Sequence, residues 1–256
     1  TICRKQEPLP PYPYHTEEVK FPSVDSGVEL NGTLTLPKES GKYPAVVLVS
    51  GSGTQNRDEE LLGHKPFKVI ADYLTRQGII VLRYDDREFA SKKYEGATSR
   101  NYANDALGAV EFLKSIDKVD SKRIGIIGHS EGGTIAFMCA AQNKEIDFIV
   151  SLAGMAVAGD KCLQEQNRRA IAITGLSEEI QNKCIEVTQA IFDETQKREV
   201  GDLRQSAKKI VDELIAKHSA QNLPPALIQN FEKTLSTITE WMKFFLSYDP
   251  IGDIKQ

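Results

Sequence analysis

The sequence is short of the residues on which metal, redox and nucleic-acid chemistry depend. Its 256 residues hold only four cysteines and four histidines. The cysteines, at positions 3, 139, 162 and 184, show no C-x-x-C spacing, so zinc and dithiol motifs are absent. Cys162 and Cys184 share one region and would pair only in an oxidising compartment; spacing alone makes no bridge, and free thiols are the simpler reading. Lys and Arg total 32 against 36 Asp and Glu, and the net charge of −4 comes with no basic run. A nucleic-acid partner is therefore not expected, because phosphate binding needs a basic face. No apolar stretch approaches the roughly 20 residues that span a bilayer, and the longest, such as 45–49, are strand-sized. Internal repeats and low-complexity segments are missing as well. So is an initiating Met. The chain opens on Thr1, as it would after removal of a secretory leader, although a boundary inside a longer polypeptide gives the same opening.

What is present is an ordinary globular composition, 40% hydrophobic and 27% charged, with length enough for one large domain or a domain carrying an insertion. Residues 6–14, QEPLPPYPY, contain four prolines and read as an extended tether, with 1–16 outside the folded part and room for a further domain before it. Two strand-like runs, 17–24 and 28–36, predict an antiparallel pair at a sheet edge. Strands and helices then alternate. AVVLVSG, GIIVLRYDD, RIGIIGH and IDFIVSLAG are continuous apolar runs of the kind buried on both faces of a parallel sheet. Helices are predicted between them at 66–76, about 104–116 and 131–141. This order implies an α/β protein with a mostly parallel sheet covered on both faces.

After Gly154 the alternation stops. About ninety residues follow with no strand signal and three amphipathic stripes. The first carries Ile180, Cys184, Val187 and Ile191, the second Leu203, Ala207, Ile210 and Leu214. The third starts at Pro224-Pro225 and runs on to Phe245. The expected organisation is a core over 17–155, an all-helical insertion over 156–247, and a return to the core at 248–256.

One pentapeptide carries chemistry. Gly128-His129-Ser130-Glu131-Gly132 is a G-x-S-x-G motif placed between a buried strand and a helix, the context a nucleophile elbow requires. The residues two before and two after the serine must be small there, and the helix N-terminus favours developing negative charge. The plainer reading makes Ser130 an ordinary helix N-cap. At the end of the first parallel strand stands SGSGTQNRD, 50–58. A loop in that place supplies one oxyanion-hole amide and the residue after the nucleophile supplies the other, which assigns Ser52, or alternatively Gly53, together with Glu131. A phosphate-cradling reading fits poorly: no Lys follows the last glycine, and Asn56 stands where a dinucleotide fingerprint needs glycine.

Taken together, GHSEGG, SGSGTQNRD, VLRYDDR and VDSKRIGIIGHS resemble the α/β-hydrolase superfamily, in particular bacterial esterases with a helical cap related to the dienelactone-hydrolase and prolyl-oligopeptidase-like groups. The likeness covers 17–154. It departs at 83–88, where RYDDRE stands in place of the relatives' common RYDKRG. The resemblance implies an α/β-hydrolase fold and hydrolysis of a small carboxylic ester through an acyl-serine, with no metal or organic cofactor; composition leaves the compartment open, and a removed leader would imply a bacterial periplasmic or secreted setting. Peptidase or thioesterase activity on the same serine, or a non-catalytic binding module, are the alternatives.

The superfamily order of serine, then acid, then histidine leaves a gap. None of His15, His64, His129 and His218 follows a later strand, and Asp160 is placed at the start of the helical insertion with an exposed side chain. His129 is expected to pack near the strand end and His218 to be a solvated helix terminus. The acid and histidine, with the last two strands of the sheet, are expected beyond Gln256. Arg57 and Asp58 suit either a substrate contact or a salt-bridged loop anchor, and Trp241, Phe244 and Phe245 either an acyl pocket or simple packing. Asn31-Gly32-Thr33 matches a glycosylation sequon but falls in a predicted strand.

Overall fold

The computed structural model describes residues 6–90 and 96–256; Cys3 and the start of the tether lie outside the described residues. Its contacts divide into two compact units. One runs to Ala156 and takes in Gly252–Gln256, and the other is Val157–Ile251.

The first unit is built on a six-stranded sheet in the order β1-β2-β4-β3-β5-β6. The strands are β1 His15–Pro22, β2 Glu29–Leu36, β3 Tyr43–Val49, β4 Ile80–Tyr84, β5 Val119–His129 and β6 Phe148–Leu152. β1 pairs antiparallel with β2 and β2 antiparallel with β4, while β4, β3, β5 and β6 run parallel. β3 lies at the centre, with Val46 between Val81 and Gly125, and Ala45 through Val49 are all buried. A strand covered on both faces has no use for alternation, which is why it reads as an unbroken apolar run.

Helix α1 (Pro66–Arg76) begins on a proline, whose missing N–H costs nothing at a first turn, and presses Phe67 and Ala71 onto Val46, Leu48 and Val81. α2 (Arg87–Ala90) is a single turn after β4. α3 (Ser99–Lys114) buries Ala103, Ala106, Ala109, Val110 and Leu113, and α4 (Glu131–Gln142) buries Ile135, Ala136, Met138 and Cys139. α3 starts five residues before the apolar stripe suggests. Thr98 and Asn101 form a capping box that satisfies the first amides and carries the helix back to Ser99.

The second unit is wholly helical among its described residues: α5 Gly159–Ala172, α6 Glu178–Lys197, α7 Val200–Lys217, α8 Pro225–Ser236 and α9 Glu240–Ser247. A short α10, Ile251–Ile254, follows. Val187, Leu203, Ile210, Val211, Leu214 and Leu235 anchor one apolar core. Two expectations need correction here. The third stripe is two helices, not one, because the Thr239 hydroxyl accepts from the Met242 amide at 3.2 Å and starts a new helix. α5 has no counterpart among the three predicted helices, since Gly159 is its only buried residue and its apolar stripe is thin. Cys139 and Cys184 are buried, Cys162 is half-buried, and all three are free thiols. No described helix is long and apolar enough to cross a membrane.

Candidate active site

The site grows from the strand-to-helix turn that follows β5. Ser130 takes φ +52° and ψ −118°, a left-handed region that a non-glycine residue occupies only when its surroundings impose it. Its amide donates to Leu152 O at 2.8 Å, tying the turn to the end of β6, and its carbonyl accepts from Gly133 N at 3.0 Å. A Cβ at Gly128 would stand 2.0 Å from Gly132 O, and one at Gly132 would stand 2.1 Å from Val49 O. The crossing of strand and helix is therefore too close for any side chain at those two positions. Ser130 occupies the N-cap position of α4, but its hydroxyl caps nothing. It is left for other work.

The loop after β3 lies against this serine: a Cβ at Gly51 would be 3.2 Å from Ser130 Cβ. Four acidic side chains pin the loop. Asp86 accepts from Ser50 Oγ at 2.9 Å and from the Gln55 amide at 2.7 Å. Asp85 takes the Arg57 amide at 2.8 Å and its guanidinium at 2.6 Å, with Glu18 and Thr33 on the same guanidinium. Asp58 pairs with the buried Arg83. Arg57 and Asp58 are thus loop anchors. The fourth acid, Glu59, is buried at φ +50° and its Oε1 serves two partners, the Gly51 amide at 2.7 Å and His129 Nδ1 at 2.8 Å. Gly51 N–H is consequently engaged. Among the described residues no hydrogen bond engages the amides of Ser52 or Gly53, which stand next along the loop.

Burial sets the electrostatics. Asp86, at 7% exposure, is pushed up to about 8 because desolvation outweighs its two hydrogen bonds. Burial likewise raises Glu88, whose Oε1 accepts from Tyr102 while its other oxygen is buried without a partner. Burial in the sheet holds the Arg83 guanidinium below its usual range, against the pull of Asp58. Arg87 is fixed by Asp105 through two bonds of 2.8 and 2.7 Å and by Asp25 at 2.8 Å, and these carboxylates raise it. Glu131 turns its carboxylate inward to the Ser99 hydroxyl at 2.5 Å, while Gly53 and Glu131 line one small cleft with Ser50, Asp86, Tyr102 and the apolar Val49 and Ile135.

The histidines go elsewhere. His129 faces Glu59, His64 sits in a β-bridge with Leu61, His15 opens β1, and His218 lies in the helical unit near Glu186. Among the described residues no hydrogen bond joins any of them to Ser130 Oγ. His218 is not the solvated terminus the sequence suggests: its side chain is three-quarters buried and its Nε2 has no partner, because α7 ends against its own unit's core. Asp160, in the first turn of α5, is also less exposed than expected, at 14% for its side chain, and pairs with its neighbour Lys161 at 3.3 Å. Trp241 packs on Phe245 with ring centroids 5.2 Å apart, and Phe244 stacks on Tyr248 at 5.8 Å. Glu59 and Asp86 carry no sequence signal as site residues; they reach Ser50, Gly51 and His129 only through the fold.

Comparison with known proteins agrees with this architecture. The acetyl xylan esterase (AXE1) family model matches residues 14–155, and the BAAT / acyl-CoA thioester hydrolase C-terminal model matches residues 107–219. The esterase EstD of Thermotoga maritima is 37% identical over 157 residues, which are 60% of this chain and 37% of that protein. A putative carboxymethylenebutenolidase of Methylorubrum extorquens is 26% identical over 157 residues, 59% of this chain and 53% of that protein. The chain thus spans between about a third and a half of the length of these curated relatives. A solved structure of a hypothetical protein from Pseudomonas aeruginosa covers 100% of this chain and 76% of its own, with a TM-score of 0.53 at 16% identity, a likeness of fold. With one family model matching more than half its length and the same mixed sheet crossed by a strained strand–serine–helix turn, the chain belongs to the α/β-hydrolase superfamily.

Proposed function

We propose that this chain carries the nucleophile and oxyanion machinery of a serine hydrolase acting on carboxylic esters, with the helical unit as its cap. The observation that carries the reading is Ser130 itself, at φ +52° between two glycines that admit no Cβ and with a hydroxyl that caps nothing. In the proposed reaction Ser130 Oγ attacks the acyl carbon and the alcohol departs, leaving an acyl-serine that water hydrolyses. The amides of Ser52 and Glu131 receive the negative charge of the tetrahedral intermediate; Gly51 is unavailable because its N–H is held by Glu59. No general base is assigned among the described residues, since His129, the histidine adjacent to the serine, is committed to Glu59.

The test uses the full-length gene product. A fluorophosphonate is expected to give one adduct that maps to Ser130 and disappears in Ser130→Ala, and p-nitrophenyl acetate hydrolysis is expected to vanish with it. An adduct elsewhere, or undiminished hydrolysis by Ser130→Ala, overturns the reading. One observation favours a thioesterase instead: the acyl-CoA thioester hydrolase model runs through Ser130 and on into α7. Acyl-CoA turned over faster than the p-nitrophenyl ester would select it, and a preference for aminoacyl anilides would select a peptidase.

A further inference from the structure

The helical unit contains a cavity of about 340 Å³ that the chemistry at Ser130 does not call upon. Its apolar wall includes Ile191 and Phe192 of α6, Leu227 and Phe231 of α8, and Met242 of α9. It opens to solvent past the exposed Thr174, Asn230 and Thr234, and a concave, mostly apolar wall with a few polar groups is the usual form of a small-molecule pocket. Water is a poor occupant. Water lying against this wall finds few polar partners, so an apolar ligand that displaces it gains.

The lining also limits what can enter. No charged side chain lines the cavity, so an anionic or cationic head would lose its hydration without a counter-charge. One polar side chain belongs to its buried wall. Thr188 is 8% exposed, and no hydrogen bond among the described residues engages its hydroxyl. The contrast with its neighbours is direct. Thr195, two turns on in α6, donates to Ile191 O at 2.8 Å, and Thr234 donates to Asn230 O at 2.8 Å, each turning back on its own helix. The Thr188 hydroxyl makes no such bond. Nearer the surface, Asn167 and Asn230 contribute amides, and no hydrogen bond among the described residues engages their side chains.

We propose that this cavity binds a neutral, medium-chain aliphatic molecule carrying one hydroxyl or carbonyl oxygen, with the chain against Ile191, Phe192, Leu227, Phe231 and Met242 and the oxygen paired with Thr188. The proposal goes beyond the hydrolase reading and does not depend on Ser130. The probe is 1-octanol, which has no acyl bond to hydrolyse. The chain has one tryptophan, Trp241, next to Met242 on α9, so its fluorescence reports occupancy.

Titration of the full chain with 1-octanol is expected to give a saturable shift in Trp241 emission, with octanoate at least tenfold weaker. Thr188→Val keeps the shape and removes the hydroxyl, and should weaken 1-octanol about three- to tenfold. Leu227→Phe, which fills part of the space at a half-buried position, should abolish the shift while the protein still melts cooperatively. Ser130→Ala should bind as the parent does, so a failed hydrolase reading leaves this result standing. No saturable shift in the cooperatively folded parent, octanoate binding equal to 1-octanol, or a Thr188→Val variant with unchanged affinity would each overturn the proposal.

Discussion

The two units fix their side chains by different physics. The sheet unit buries Glu59, Arg83, Asp86, Arg87, Asp105 and Glu131, each held by directional bonds, and keeps Ser130 and Glu59 in strained backbone. Among the described residues of the helical unit, the buried polar side chains are Thr188 and Thr195, and the charges sit outside in pairs such as Lys208–Asp212 and Arg169–Glu165. Burying a charge is costly unless it is paired, so a fold does it where a position must be held and not merely filled. The difference teaches where geometry matters: the loop at 50–59 and the turn at 128–133 are specified atom by atom, whereas the helical unit is specified by shape.

The sharpest way to break that contrast is at Arg87. Arg87→Ala leaves Asp105, 1% exposed, with a buried charge and no counter-ion, and is expected to cost about 3–5 kcal/mol in denaturant unfolding. In the helical unit the comparable loss comes from packing alone. Leu203→Ala, at a fully buried position, should cost about 2–4 kcal/mol, and the change should appear in Trp241 fluorescence. An effect smaller per pH unit separates the units by pH. The Asp86 pKa is raised in the folded state, so the fold retains a proton that the unfolded chain has released. Stability is then fullest below the ordinary carboxyl pKa and falls as pH rises toward about 8. Asp86→Asn should remove this slope, up to about 1.4 kcal/mol per pH unit, from urea midpoints measured across pH 5–8. A slope unchanged in the variant would mean that Asp86 is ionised in the native state. The smallest effect lies on the helical surface: Lys208→Ala, at a solvent-exposed pair, should leave the melting temperature unchanged within error.

Much of the sheet unit could be read before any coordinates. β3 is an apolar run, β5 ends in one over 124–128, and α1 announces itself by Pro66 and the stripe from Phe67 to Leu74. The turn at Ser130 is marked by its glycines. What escaped reading was local where it was faint and distant where it was structural. The first turn of α3 rests on an Asn at the capping-box position where Glu or Gln is the usual signal. α5 offers almost no buried face, and the break between α8 and α9 interrupts a stripe whose period continues through it. Glu59 and His129 are 70 residues apart, and Ser50 and Asp86 are 36 apart. Such pairings depend on sheet order, which no window of sequence contains.

Glu59 has one consequence for anyone redesigning this scaffold. Because its carboxylate holds Gly51 N–H and His129 together, the segment from Gly51 to Glu59 behaves as a ruler between two anchors. Adding or deleting one residue inside it would change which amide is presented to the nucleophile. The exposed stretch just beyond, at 60–64, lies outside the ruler, and a change of length there would disturb the Leu61–His64 bridge without moving Gly51 relative to Glu59.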